Sequence, residues 1–265
     1  RRAGHAVNTD PCKVASRSHL VARALHARAS STSVVEQRGP VHVAFSGSSA
    51  GSFNTAFILE PLTEPRAEVN DFVAWAATLG VPYHVYLRDG VGAAAEEAFR
   101  SAGFSLLDTE PWMLADPITE IPLSTEPGAA LEIRPIEDAS GFREHLATAA
   151  DAFEMPADHV IGAFPESLLA DELLLWFTGY VGERPVATMA AVRTDQVLDL
   201  QNIGVVADAR RSGYGAAITR HGMVMAHQLE CAQVSLQASP MGERLHRRLG
   251  FRAACHYRVF ASPDR

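Results

Sequence analysis

Two arginines and two glycines at the start of a predicted helix are the residues of this chain best suited to hold an anion. The stretch is Arg210-Arg211-Ser212-Gly213-Tyr214-Gly215-Ala216, and it follows the strand-like run Val197–Val206. The first N–H groups of a helix have no partner inside it, and the helix dipole adds roughly half a positive charge at that end. Gly213 and Gly215 let the main chain approach a ligand with no Cβ in the way. Arg210 and Arg211 add permanent cations suited to phosphate oxygens. The ligand class this implies is a phosphate. No Lys-Ser/Thr pair follows, so the loop is not the P-loop of nucleoside triphosphates, and no G-x-G-x-x-G marks a dinucleotide site.

A second set of residues follows in order. Leu236-Gln237-Ala238-Ser239 ends a short strand, and the helix after it runs through His246 to Leu249-Gly250-Phe251. Together with Arg210, Gly213 and Gly215, these positions resemble the GNAT superfamily of acetyl-CoA-dependent N-acyltransferases. That family's loop reads Q/R-x-x-G-x-G/A, and its later helix carries a Tyr before Leu-Gly-Phe. The resemblance covers about residues 131–265.

The resemblance implies an N-acetyltransferase of the GNAT fold, with acetyl-CoA as co-substrate and no metal. The diphosphate of coenzyme A would sit on the amides of residues 211–216. Pantetheine would run along Ile203, Gly204 and Val205, and an N–H near Val205 would polarise the acetyl carbonyl. Family members often carry a Glu on the third strand as proton acceptor; eleven residues before Arg210 stands Asp199, whose shorter side chain suggests relay through a water. The slot of the usual proton donor, a Tyr, holds His246. Ser239 is either a ligand contact or the cap of the helix it precedes.

The elements that must position these groups fall into two tandem units. The fold class is α/β, a mixed α+β arrangement with a central mixed sheet flanked by helices. Residues 13–115 form the first unit, 116–130 a Pro-rich linker, and 131–265 the unit that carries the motifs. In the first unit a helix over 13–29 shows Leu20, Val21, Ala24 and Leu25 on one face, and strands at Val41–Phe45, Phe53–Leu59 and Tyr83–Leu87 alternate with two helices. This order resembles a worn GNAT copy that shapes the acceptor cleft. It contains Gly47-Ser48-Ser49-Ala50-Gly51, the G-x-S-x-G pattern of serine hydrolases. That elbow needs a following helix, and the β-rich run that follows points to a hairpin instead.

Composition narrows the function further. The net charge of −8 argues against nucleic acid, yet residues 203–265 carry nine Arg against four acids. A basic end on an acidic body suits an anionic co-substrate and a cationic acceptor, a primary amine of a small molecule or basic peptide. No apolar run is long enough to span a membrane, and no apolar segment follows Arg1 and Arg2 as in a signal peptide. Cys12, Cys231 and Cys255 form no C-x-x-C pair, which fits a reducing cytoplasm. The eleven histidines include no H-E-x-x-H. A non-catalytic acyl-CoA binder remains the alternative, with a serine hydrolase using Ser49 behind it; a homodimer is left open.

Overall fold

A computed structural model describes residues 10–116 and 131–263. Residues 117–130 of the expected linker at 116–130 lie outside them. In the first half, α1 (Pro11–Arg28) leads to β1 (Val34–Arg38), β2 (Val41–Phe45), β3 (Asn54–Ile58), α2 (Pro65–Ala77), β4 (His84–Arg88), α3 (Ala93–Ser101) and β5 (Ser105–Ala115). In the second, β6 (Glu132–Pro135), α4 (Ala139–Ala152) and α5 (Ala157–Ala163) precede β7 (Leu174–Val181), β8 (Arg184–Thr194) and β9 (Val197–Val205). Then come α6 (Tyr214–Gln228), β10 (Gln233–Gln237), α7 (Pro240–Arg248) and β11 (Arg252–Ala261).

Local chemistry sets the helix starts. Pro11 and Pro240 occupy first-turn positions, where a missing N–H costs nothing. Asp10, Asp138 and Ser239 each accept a hydrogen bond from an amide of the helix they precede.

All strands join one mixed sheet in the order β1-β2-β3-β4-β11-β5-β10-β9-β8-β7-β6. Two strand–helix–strand units recur: β3-α2-β4 and β9-α6-β10 each join a parallel pair. Each is followed by a helix and a final strand, α3-β5 in the first half and α7-β11 in the second. Those final strands are exchanged. β11 lies between β4 and β5, and β5 lies between β11 and β10. Each half thus fills the other's open edge, which removes two unpaired strand edges from solvent. The expectation of two tandem units needs this amendment: they interlock through a common sheet rather than pack side by side.

One face of the sheet is covered by α2 and α3 over the first half and by α6 over the second, with Phe72 and Phe99 buried against the former and Ile218 and Met223 against the latter. On the other face, α4 and α5 pack on Trp176, Ala190 and Val192. Beside them α1 crosses the middle of the sheet.

The orientation of α1 differs from the sequence expectation. Leu20, Val21 and Leu25 are only half-buried, whereas Ser16, Ser18, His19, Ala22 and His26 face inward. The reason lies in the sheet beneath, which presents Tyr257, Ser235 and Gln201 to this face. The Ser16 hydroxyl is 2.6 Å from Tyr257 Oη, and Ser18 is 2.8 Å from Ser235 Oγ. Polar partners in the sheet turn the polar stripe of the helix inward. The strand β1 was also not anticipated. Its residues Glu36, Gln37 and Arg38 are exposed at the sheet edge and carry no alternation that marks a buried strand. The serine-elbow pattern ends as the expected hairpin: β2 and β3 pair antiparallel, Ser49 is exposed, and a short 3-10 turn at Gly51–Phe53 leads straight into β3.

Close packing of α4 on β9 depends on Gly204, where an added Cβ would lie 2.9 Å from Ala152 Cβ and 3.1 Å from the Phe153 ring. Gly204→Ala is expected to lower stability by about 1–3 kcal/mol, through overpacking, in a urea unfolding curve.

Candidate active site

The parallel ladder between β9 and β10 stops early. Pairing runs from Val197 with Gln233 to Leu200 with Leu236, after which β9 continues to Val205 while β10 ends at Gln237. On its other edge β10 pairs with the exchanged strand β5 as far as Gln237 opposite Trp112. The strands therefore part at Gln201 and Gln237, leaving a cleft between them. A β-bulge sits on the β9 side. Ala190 faces Gln201 and Thr188 faces Gly204, so three residue steps on β9 oppose two on β8, and Asn202 has φ +51°. The bulge bends β9 at Asn202 and Ile203, next to the cleft.

At the end of β9 lies the turn that precedes α6. Arg211 and Gly213 both have positive φ, +66° and +83°. Among the described residues, no protein acceptor takes the amides of residues 211–216, and Ala217 is the first to donate, to Gly213. A Cβ at Gly213 would meet nothing within 4 Å, and one at Gly215 would lie 3.3 Å from Leu245. The side chains of Arg211 and Ser212 are exposed, while Tyr214 and Ala216 pack partly against the core. The turn is therefore an open cradle of unpaired N–H groups, which fits an anionic diphosphate.

Arg210 does something else. Its Nε donates to Val205 O at 3.1 Å, Nη2 to Ala152 O at 2.8 Å, and Nη1 to Glu154 at 2.9 Å. The expected phosphate ligand is a clamp that ties the turn to the end of α4. Ser239 acts as a helix cap, accepting from Gly242 N at 3.2 Å, with its hydroxyl at the exposed end of β10.

Asp199 is 1% exposed and stands on the last paired rungs, opposite Ser235. Ser235 Oγ donates to its Oδ1 and Gln201 Nε2 to its Oδ2, while His19 Nδ1 lies 3.5 Å away. Protein donors hold both carboxylate oxygens. This corrects the expectation of a base acting through water: Asp199 is a buried anchor beneath the cleft. His246 occupies the expected helix position, but it is 5% exposed, its ring lies edge-on to Phe251, and Nδ1 has no partner among the described residues. Burial lowers its pKa to about 4, so it is neutral at pH 7. The expected proton donor is thus a neutral imidazole.

A group the motifs did not reveal stands where the strands part. Glu110, on β5, accepts from Gln237 Nε2. Arg23 of α1 reaches the same Gln237 from above, with Nη2 3.5 Å from Oε1, while its Nε donates to His19 Nε2 at 3.1 Å. A polar chain thus runs from Asp199 through His19, Arg23 and Gln237 to Glu110, and links both sides of the cleft. Burial raises the Glu110 pKa to about 7, with Asp108 adding to the shift and Arg23 opposing it. Glu110 was invisible in the sequence because it lies in the first half, and only the strand exchange brings it here.

No family sequence profile matches the chain, and no curated protein matches it in sequence. Solved structures do match. A GCN5-related N-acetyltransferase from Kribbella flavida superposes with a TM-score of 0.70 at 20% identity, covering 98% of both chains. A functionally unknown conserved protein from Staphylococcus epidermidis gives 0.67 at 15% identity over 87% of this chain and 94% of that one. A GCN5-related N-acetyltransferase from Sphaerobacter thermophilus gives 0.62 at 15% identity over 83% and 75%. The chain has the fold of the GCN5-related N-acetyltransferases. No helix among the described residues is long and apolar enough to cross a membrane.

Glu110 gives this site a pH signature. Its pKa in the folded protein lies above the ordinary 4.5, near 7, so between those values the folded state holds a proton that the unfolded chain has released. Stability falls as pH rises through that window. Glu110→Gln should remove about 2–3 kcal/mol of this fall, seen as convergence of the two proteins at pH 4.5 and a more stable variant at pH 8.

Proposed function

We propose that the chain is an N-acyltransferase that moves the acetyl group of acetyl-CoA directly to a primary amine. The observation that carries this reading is the parting of β9 from β10 beside the unpaired amides of residues 211–216. A strand edge freed in that way offers N–H and C=O groups to an amide-bearing arm, and the turn offers donors to the diphosphate at its end. In this reading, residues 211–216 bind the diphosphate and the Ile203–Val205 edge binds pantetheine. A main-chain N–H near Val205 polarises the thioester carbonyl. The setting proposed is the cytoplasm.

An alkylamine is mostly protonated at pH 7 and must lose a proton before it attacks. We assign that proton to Glu110, a carboxylate whose affinity for protons matches neutral pH, held in place by Gln237 and Arg23. The amine nitrogen forms its bond to the carbonyl carbon, the carbon–sulfur bond breaks, and the electron pair leaves on sulfur. Asp199 acts as a positioning residue through Gln201 and His19. Neutral His246 fills the wall beside Ser239 and is a weak donor to the departing sulfur. The acidic surface outside residues 203–265 favours a cationic acceptor such as a polyamine or a basic peptide.

Thiol release from acetyl-CoA across an amine library tests the reading; tight acetyl-CoA binding with no turnover on any amine would leave the non-catalytic binder instead. Glu110→Gln should lower kcat about 10²-fold or more, with little change in KM for acetyl-CoA, and remove the pH-rate limb near 7. His246→Phe should cost less than tenfold. Gly213→Val, strained at φ +83°, should weaken acetyl-CoA binding at least about tenfold by calorimetry.

A further inference from the structure

Cys12 and Cys255 stand 243 positions apart in the sequence, yet they meet in the fold. Cys12 lies in the first turn of α1, and Cys255 lies on β11 beneath it. Their sulfurs and a carboxylate oxygen of Asp89 all fall within 4.8 Å of one another. Ser16 Oγ is 3.9 Å from each sulfur. A bulge in β11 between Ala253 and Cys255 sets the register in which Cys255 pairs with Trp112 and Tyr257 with Glu110, turning both side chains toward α1.

The two thiols have unlike surroundings. Cys12 is half-buried, and Arg88 Nη1 lies 3.8 Å from its sulfur. The hydrogen bond with Cys255 and the Arg88 charge bring its pKa down to about 7, against the effect of burial. Cys255 is 3% exposed. The hydrogen bond with Cys12 and burial push its thiol up. An accessible thiolate beside a buried thiol is the arrangement of a nucleophilic and a resolving cysteine. The guanidinium next to Cys12 favours a thiolate there and opposes a bound cation, so the cluster suits redox chemistry better than a metal.

We propose that Cys12 and Cys255 form a reversible disulfide driven by a hydroperoxide, which staples the start of α1 to β11. The Cys12 thiolate attacks the terminal peroxide oxygen, the O–O bond breaks, and hydroxide leaves from hydrogen peroxide (the alkoxide from an organic hydroperoxide), giving a sulfenic acid on Cys12. The Cys255 sulfur then attacks the Cys12 sulfur, the S–O bond breaks, and water leaves with the Cys255 proton. Both cysteines are oxidised by one electron each and the peroxide is reduced by two. The staple fixes the helix that carries His19 and Arg23 over the cleft; its bearing on turnover rests on the acyltransferase reading, whereas the disulfide itself does not.

The test is titration of the reduced full chain with hydrogen peroxide, followed by peptide mapping under non-reducing conditions. The expected result is a linked pair of peptides containing Cys12 and Cys255, with Cys231 still free, and reversal by dithiothreitol. Thermal unfolding should move up by about 5 °C on oxidation, and hydrogen exchange along α1 should slow. In Cys255→Ser, Cys12 should stop at a sulfenic acid trapped by a cyclic diketone. Two free thiols after peroxide, a Cys12 sulfinate without the link, or stoichiometric zinc shielding both thiols would overturn the proposal. A disulfide that forms in a protein with no transferase activity would sink the proposed function and leave the redox pair standing.

Discussion

The whole site depends on one interruption: β9 and β10 cease to pair after Leu200 and Leu236. Backbone groups that lose a strand partner must find another or face solvent. On the β10 side, the exchanged strand β5 holds the opposite edge of the strand in place from Val234 to Gln237. Gln237 pairs with Trp112, and Ala238 N donates to Pro111 O at 3.0 Å. On the β9 side the bulge at Asn202 turns the chain outward, and the clamp of Arg210 on Val205 and Ala152 holds the end of the strand against α4. The cleft is a gap in a sheet whose two walls are held apart by different devices.

Strand exchange explains why the first half is more than a cover. β5 pairs with β10 and with β11, so the second half closes its sheet with a strand from the first. The same strand carries Glu110 to the mouth of the cleft and Trp112 into the stack with Tyr257, at 3.8 Å between ring centroids. α1 belongs to the first half in sequence but sits over the second half's strands through His19 and Arg23. A second half cut free would lose Glu110, its Gln237 contact and the cover over Asp199 together. The two parts are one catalytic body in the proposed function, whatever their separate ancestry.

The sequence made the glycine turn before α6 legible because its signal is local. A left-handed glycine, a second glycine and a helix start within six residues need no tertiary information. The strand–helix–strand order and the Leu-Gly-Phe ending were legible for the same reason. What the sequence hid was every feature built from distant residues. Glu110 lies 127 positions before Gln237, and no spacing rule joins them. Asp199 was found by its offset from Arg210, but that offset fixes a strand position and says nothing of the donors around the side chain. The buried stripe of α1 was misread because helical periodicity assumes an apolar floor, and this floor carries Tyr257, Ser235 and Gln201.

Burial of so many polar groups under α1 has an energetic logic. His19, Gln201, Asp199, Ser235 and Ser18 are nearly solvent-free, and an unpaired buried polar group costs about 1–3 kcal/mol. Here each has a partner, so that penalty is not incurred while α1 is in place. Lifting would take His19 from beside Asp199 and Ser18 from Ser235, and would release Arg23 from Gln237 at the same moment. The helix is therefore held over the cleft by these polar pairs together with the apolar contacts of Ala15, Ala22, Leu20 and Leu25. A polar seam of this kind sets one orientation of the helix against the sheet, because rotation by a single residue would break every pair at once. That fixed orientation is what gives Arg23 and Gln237 a constant position beside Glu110, and hence gives the proposed base its geometry.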